Sequence, residues 1–70
     1  MNIRDLKVGQ CIVSASGNKG FIVGIIDKNE YNEQISKNDW NYLKTGVLID
    51  FEDFGIIHYK DQDQFNFDFE

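Results

Sequence analysis

Six glycines and no proline punctuate this chain, and the stretches between the glycines are short runs rich in Val, Ile, Phe and Tyr. Such residues fit the pleated, half-buried surface of a sheet. Glycine at the ends of the runs supplies the backbone freedom that turns between strands need. The spacing predicts a first strand over Gln10–Ala15, a turn at Ser16-Gly17-Asn18-Lys19-Gly20, and a second strand over Phe21–Asp27. Gly46 opens a third strand over Val47–Asp53, which alternates with period two. Val47, Ile49 and Phe51 take one face and Asp50 and Glu52 the other, with Leu48 the one apolar residue on the polar side. Asp53-Phe54-Gly55 turns the chain into a fourth strand, Ile56–Lys60. A fifth is predicted at Phe65-Asn66-Phe67-Asp68-Phe69-Glu70, which alternates again and puts three phenylalanines on one side.

One polar segment, Lys28–Thr45, breaks the pattern and is long for a hairpin loop. Within it Ser36-Lys37-Asn38-Asp39 has the form of a capping box with Asp in place of Glu, and Ile35 and Trp40 stand where a hydrophobic staple would put them. Trp40 and Leu43, three residues apart, would share one face of a short helix near Ser36–Lys44, with Tyr42 pointing elsewhere. Five short strands over a single core predict an all-β domain spanning residues 1–70, built as a small closed or nearly closed five-stranded barrel. The helix is inserted between its second and third strands.

Size limits how such a fold can be held together. A domain of about 60 residues buries roughly 60% of the surface its unfolded chain exposes, so its margin of stability is small. One cysteine, Cys11, and one histidine, His58, can make neither an internal disulfide nor a zinc site. Packing has to supply the stability, and a chain that is 41% hydrophobic and 14% aromatic can do so. The longest apolar run, Phe21–Ile26, is far shorter than the roughly 20 residues of a membrane span. No apolar stretch follows Met1-Asn2-Ile3-Arg4-Asp5, so no secretory signal is expected. A lone cysteine suits a reducing interior, and a cytoplasmic location is expected.

At this point the order of strands and glycines is similar to that of a known class. Leu6-Lys7-Val8-Gly9-Gln10 before a strand resembles the opening of SH3-like barrels of the Tudor and KOW type. Gly17-Asn18-Lys19-Gly20-Phe21-Ile22-Val23 resembles the KOW pattern of two glycines and a β-branched run, and Val47-Leu48-Ile49-Asp50-Phe51-Glu52-Asp53-Phe54-Gly55 the Tudor strand with its acidic–aromatic–glycine turn. The resemblance covers nearly the whole chain except Lys28–Thr45. It implies a barrel in which Asp61–Gln64 forms a single 3₁₀ turn, and a role in reading methylated cations or binding nucleic acid.

Charge bears on which partner the chain could take. Net charge is −5, but residues 1–45 carry six basic and five acidic side chains, whereas residues 46–70 carry one basic and seven acidic. Affinity for nucleic acid rests on clustered Lys and Arg, so this balance argues against nucleic acid and for the basic surface of another protein. The other reading of these acids is a solubilising surface. A nucleic-acid module would have to use Lys7, Lys19, Lys28, Lys37 and Lys44 on one side.

Three constellations have two readings each. Trp40, Tyr42, Phe51, Phe54 and Tyr59 with Asp53 could form an aromatic cage for a methylated cation; alternatively Phe51 and Tyr59 point into the core and Trp40 caps it. Asp50, Glu52, Asp53, Asp61 and Asp63 offer oxygen ligands, and Asp50, Glu52, Gly55 and Asp61 even match four places of a calcium loop. Phe54 occupies the place where another oxygen is needed and strands flank the segment, so solvated acids are the plainer reading. Cys11 and His58 could pair as nucleophile and base, but no third group orients them. A buried Cys11 and an outward His58 fit the pattern better.

The sequence therefore points to a non-catalytic protein-interaction module without cofactor. Its expected partner-binding residues are Asp50, Glu52, Asp53, Phe54, Asp61, Asp63, Trp40 and Tyr42. Such an acidic domain would occlude a basic surface of a nucleic-acid-handling protein, as phage-encoded antagonists of defence nucleases and toxin immunity proteins do. High Asn, Ile, Lys and Asp content without proline fits a phage or low-GC bacterial source. The alternative is a KOW- or Tudor-type module for nucleic acid or methylated lysine or arginine. The register is testable by itself: Phe51→Ala should cost about 3–5 kcal/mol in urea unfolding and Glu52→Ala almost nothing, and the reverse order would flip every face assignment.

Overall fold

The computed structural model describes every residue from Met1 to Glu70. Five antiparallel strands form one sheet, and a single α-helix ends the chain. The strands are β1 (Cys11–Val13), β2 (Lys19–Ile25), β3 (Glu30–Tyr31), β4 (Val47–Phe51) and β5 (Gly55–Tyr59), and helix α1 spans Gln62–Phe69. The sheet order is β1-β2-β4-β5, with β3 also on β2. β1 and β3 share one edge of β2, pairing with Lys19–Phe21 and with Gly24 and Ile25 respectively. β4 runs along the opposite edge of β2. No strand links β5 to β1, so the sheet stays open where a barrel was expected.

The physical reason lies in the last ten residues. Phe65–Glu70 was expected as a strand but belongs to α1. Asp61 starts this helix as its N-cap: its carboxylate accepts the Gln64 N–H at 2.9 Å, while Gln64 Oε1 accepts the Lys60 N–H at 2.7 Å. This reciprocal arrangement satisfies amides that would otherwise be orphaned at a helix start. Asp61–Gln64 is thus a helix start and not an isolated 3₁₀ turn. Once α1 is nucleated, Phe65 and Phe69 lie one turn apart on one face, and Phe67 faces outward at 89% exposure. A spacing of four satisfies both a helix and a strand, which is why the alternation alone misled.

Residues Phe65 and Phe69 cover one face of the sheet. Their rings stack at 4.4 Å between centroids, and Phe69 also meets Phe51 at 6.1 Å and Tyr59 at 5.7 Å. Leu6, Ile12, Ile22, Ile25, Val47 and Ile49 complete this main core. The expected inward set Val47, Ile49 and Phe51 is buried, Glu52 is exposed, and Asp50 is half-buried. Leu48, the apolar exception, is fully buried in a second core on the opposite face with Val23 and Ile26. Ile22 and Val23 face opposite cores by ordinary alternation, and the register shift between Ile22 and Gly24 reverses the parity so that Ile25 returns to the main core.

The insert covers the second core. In place of a helix over Ser36–Lys44 it forms a single 3₁₀ turn, Lys37–Asp39, and the Ser36 side chain makes no cap bond. Ile35, Trp40 and Leu43 still pack against the second core without the helix. Gly46 is required where the insert rejoins the sheet: its φ is +104°, and a Cβ there would lie 2.0 Å from the Tyr59 carbonyl oxygen. Gly55, at φ +81°, closes the β4–β5 turn over open space.

A 70-residue domain has roughly 4–10 kcal/mol of stability. Phe65→Ala, at a fully buried aromatic, should remove about 3–5 kcal/mol of it in urea unfolding. Gly46→Ala should be more damaging than Gly17→Ala, where a Cβ meets nothing within 4 Å. Equal losses at the two glycines would contradict the close packing of Gly46 against Tyr59.

Candidate functional site

The eight residues expected to bind a partner fall in four places. Glu52, Asp53 and Phe54 form the β4–β5 turn, all exposed, with Phe54 61% accessible. Asp50 lies on the face of the second core, opposite Phe21 on β2 and Ile56 on β5. Asp61 and Asp63 begin α1 at the other end of β5, about 17 Å from the turn along a five-residue strand. Trp40 is half-buried against Val23, Ile26 and Leu48, while Tyr42 is 69% exposed on the insert. The structure thus separates residues that the sequence placed in one acidic patch.

A different grouping appears along β5 and α1. Phe54, Ile57 and Phe67 are all exposed, and one continuous surface runs between them. Toward the helix start, Ile57 and Phe67 border a groove with His58, Tyr59, Asp63, Gln64 and Asp68. Toward the β4–β5 turn, Ile57, Phe54, Phe51, Tyr59 and Asp68 line a recess of about 90 Å³, with Ser14, Ser16 and Asn18 on its far wall. Three of the five aromatics expected in a cage therefore do meet, but the carboxylate beside them is Asp68 and not Asp53. Asp68, Ile57 and Phe67 were not singled out in the sequence, because Asp68 and Phe67 were assigned to a strand. An Asp-x-x-Gln cap followed by phenylalanines four apart is the signal that could have found them.

Asp68 holds this region together. Its carboxylate accepts the Tyr59 hydroxyl, and its backbone oxygen accepts the Ala15 N–H at 2.8 Å, tying α1 to both β5 and the end of β1. Burial, then the hydrogen bond to Asp68 and the charge of that carboxylate, push the Tyr59 phenol above the usual tyrosine range.

Electrostatically the molecule is segregated. No lysine or arginine side chain pairs with any of its twelve carboxylates; the one ion pair joins the Met1 amino group to Glu70. Arg4, Lys28 and Lys60 gather with Asp27 and Asp61 at the end of the sheet remote from the β4–β5 turn, and Lys7 adjoins Lys28. Lys19 stands at the opposite end of seven-residue β2, about 20 Å away, and Lys37 and Lys44 lie on the insert.

Position also corrects the reading of Cys11. Cys11 is exposed on β1, not buried. His58 is half-buried on β5, and its Nε2–H donates to the Thr45 carbonyl at 2.8 Å. No hydrogen bond joins Cys11 to His58, whose Nε2 is taken up by Thr45. No group of three His, Cys, Asp or Glu side chains is arranged to hold a metal ion. No helix is long and apolar enough to cross a membrane.

Compared with protein-family models, curated proteins and solved structures, the chain matches none of them.

The Tyr59–Asp68 bond gives this region a pH signature. The folded pKa of Tyr59 lies above its unfolded value of about 10, so the stability it contributes is intact below about pH 10 and is lost as pH rises beyond. Urea midpoints measured across that range should fall more steeply for the native chain than for Tyr59→Phe. Parallel curves would show that the bond carries no linkage.

Proposed function

We propose that this chain is a non-catalytic protein-binding module whose β5–α1 face docks on a basic surface of another protein. One observation carries the reading: exposed Phe54, Ile57 and Phe67 are interspersed with Glu52, Asp53, Asp63 and Asp68, and none of these acids has an internal basic partner. Apolar anchors among unpaired charges of one sign suit an interface in which the partner supplies the opposite charge. The aromatic recess beside Asp68 has room for the end of a lysine or arginine side chain, where ring faces and a carboxylate both attract a cation.

Its physical role would be occlusion. A rigid acidic domain seated on a lysine- and arginine-rich surface excludes a nucleic acid from that surface by occupying the same charges. The resemblance to Tudor- and KOW-type modules supports binding rather than catalysis. Lys7 and Lys28 adjoin each other, but Lys19 lies at the far end of β2 and Lys37 and Lys44 on the insert, which gives the nucleic-acid reading no comparable face.

The test is kinetic. With the native domain as bait, a basic protein captured from lysate should associate several-fold more slowly with the Glu52→Lys, Asp53→Lys double variant, because charge acts on encounter. Phe54→Ala should mainly raise the dissociation rate. Folding should be nearly unchanged, since isolated exposed charges contribute under about 1 kcal/mol. Association that is indifferent to the double variant and to added salt would remove this face from the mechanism.

A further inference from the structure

We infer that the outer edge of β5 is a strand-addition site for an extended, lysine- or arginine-bearing segment of the partner. This rests on the proposed basic partner and specifies how that partner is held.

The parity of the sheet identifies the open groups. The Glu52 N–H donates to Lys19 O and the Ile26 N–H to Gly46 O, so Gly46, Leu48, Asp50 and Glu52 direct their backbone bonds toward β2. The alternate residues Val47, Ile49 and Phe51 therefore bond to Tyr59, Ile57 and Gly55. On β5 this leaves the N–H and C=O groups of Ile56 and His58 pointing away from the sheet. No other backbone bond, and no side chain, reaches them. Nothing lies beyond β5 in the strand order.

Such an edge invites a further strand unless proline, an inward charge, a bulge or a covering element blocks it; β5 has no proline and pairs with β4 without a bulge, and although Gln64 takes the Lys60 N–H just beyond it, the outward groups of Ile56 and His58 stay free. The other edge strands, β1 and β3, are shorter at three and two residues, and β1 is tied off at Ala15 by Asp68. Beside the β5 edge runs the groove of Ile57, Phe67, Asp63 and Asp68. A strand added to β5 would send alternate side chains into that groove. With lysine or arginine at those positions, the methylene stems would lie on Ile57 and Phe67 and the charged ends would reach Asp63 and Asp68. Charge selects the occupant. A second copy pairing β5 with β5 would bring together two grooves that each carry two carboxylates, whereas a basic segment neutralises them.

The experiment uses the whole chain, labelled with ¹⁵N, and a short synthetic peptide alternating lysine and valine. A matched peptide alternating glutamate and valine is the charge control. A lysine–valine peptide N-methylated on the edge that would face β5 is the backbone control. The inference expects the basic peptide to slow amide exchange at Ile56 and His58 about tenfold or more, while both controls fail to bind. His58→Pro, which removes an outward N–H and leaves the bonds to β4, should abolish that binding with the rest of the spectrum retained. If the variant does not fold, the N-methylated peptide decides.

Binding of the basic peptide without protection of Ile56 and His58, or equal binding of its N-methylated form, would overturn strand addition while leaving acidic docking in place. No binding by the basic peptide, with charge-dependent capture of a basic protein intact, would likewise overturn it. Loss of that charge dependence would remove the proposed function itself. Protection of Ile56 and His58 that rises with protein concentration alone would identify a second copy as the occupant and overturn the basic segment.

Discussion

The architecture depends on four aromatic rings meeting over one face of the sheet. Phe51 and Tyr59 come from adjacent strands, Phe65 and Phe69 from the helix, and each pair is useless without the other. Edge-to-face and stacked contacts of this kind add to the burial of large apolar areas. In a chain with no disulfide framework, they make a small core sufficient. They also decide where the acidic groups go: once Phe65 and Phe69 are turned inward, Phe67 and Asp63 are turned outward beside β5.

How much of this could be read in the sequence varied with how locally each feature is determined. Period-two alternation located β4 and its buried set, because Val47, Ile49 and Phe51 leave no other way to bury three residues on one side. β1, β2 and β5 were found to within two residues, their ends marked by glycine and polar residues. β3 was missed because Glu30 and Tyr31 have no pattern of their own and pair only through the backbone geometry of Asn29 at φ 56°. The helix was missed because phenylalanines at 65, 67 and 69 satisfy two periods, and the tie was broken by Asp61 and Gln64 upstream. The candidate site inherited that error. Phe54 and its neighbouring acids were legible as a turn, whereas Asp68 and Phe67 could be placed only after the helix was known.

Charge and topology reinforce each other in this molecule. The excess of acids after residue 45 falls on the last hairpin, whose β5 is an edge strand, and on the helix. Arg4, Lys28 and Lys60 gather instead where the N-terminal segment, the end of β2 and the end of β5 converge. A field with two poles orients an approaching charged surface before contact. It favours one approach direction to the β5 side without any cost in packing.

Ala15 and Asp68 are joined by a backbone bond, and Ile3 donates to Gln62, so the first quarter of the chain and its last helix meet across the whole length between them. The central hairpin of β4 and β5 can form from neighbours in sequence, but the main core cannot close until both distant segments arrive. Closing a loop of that length is entropically slow to reward. Folding is accordingly expected to be governed by a late docking step in which Leu6, Ile12 and Phe65 enter together, and fragments lacking either end would retain a hairpin without an interior.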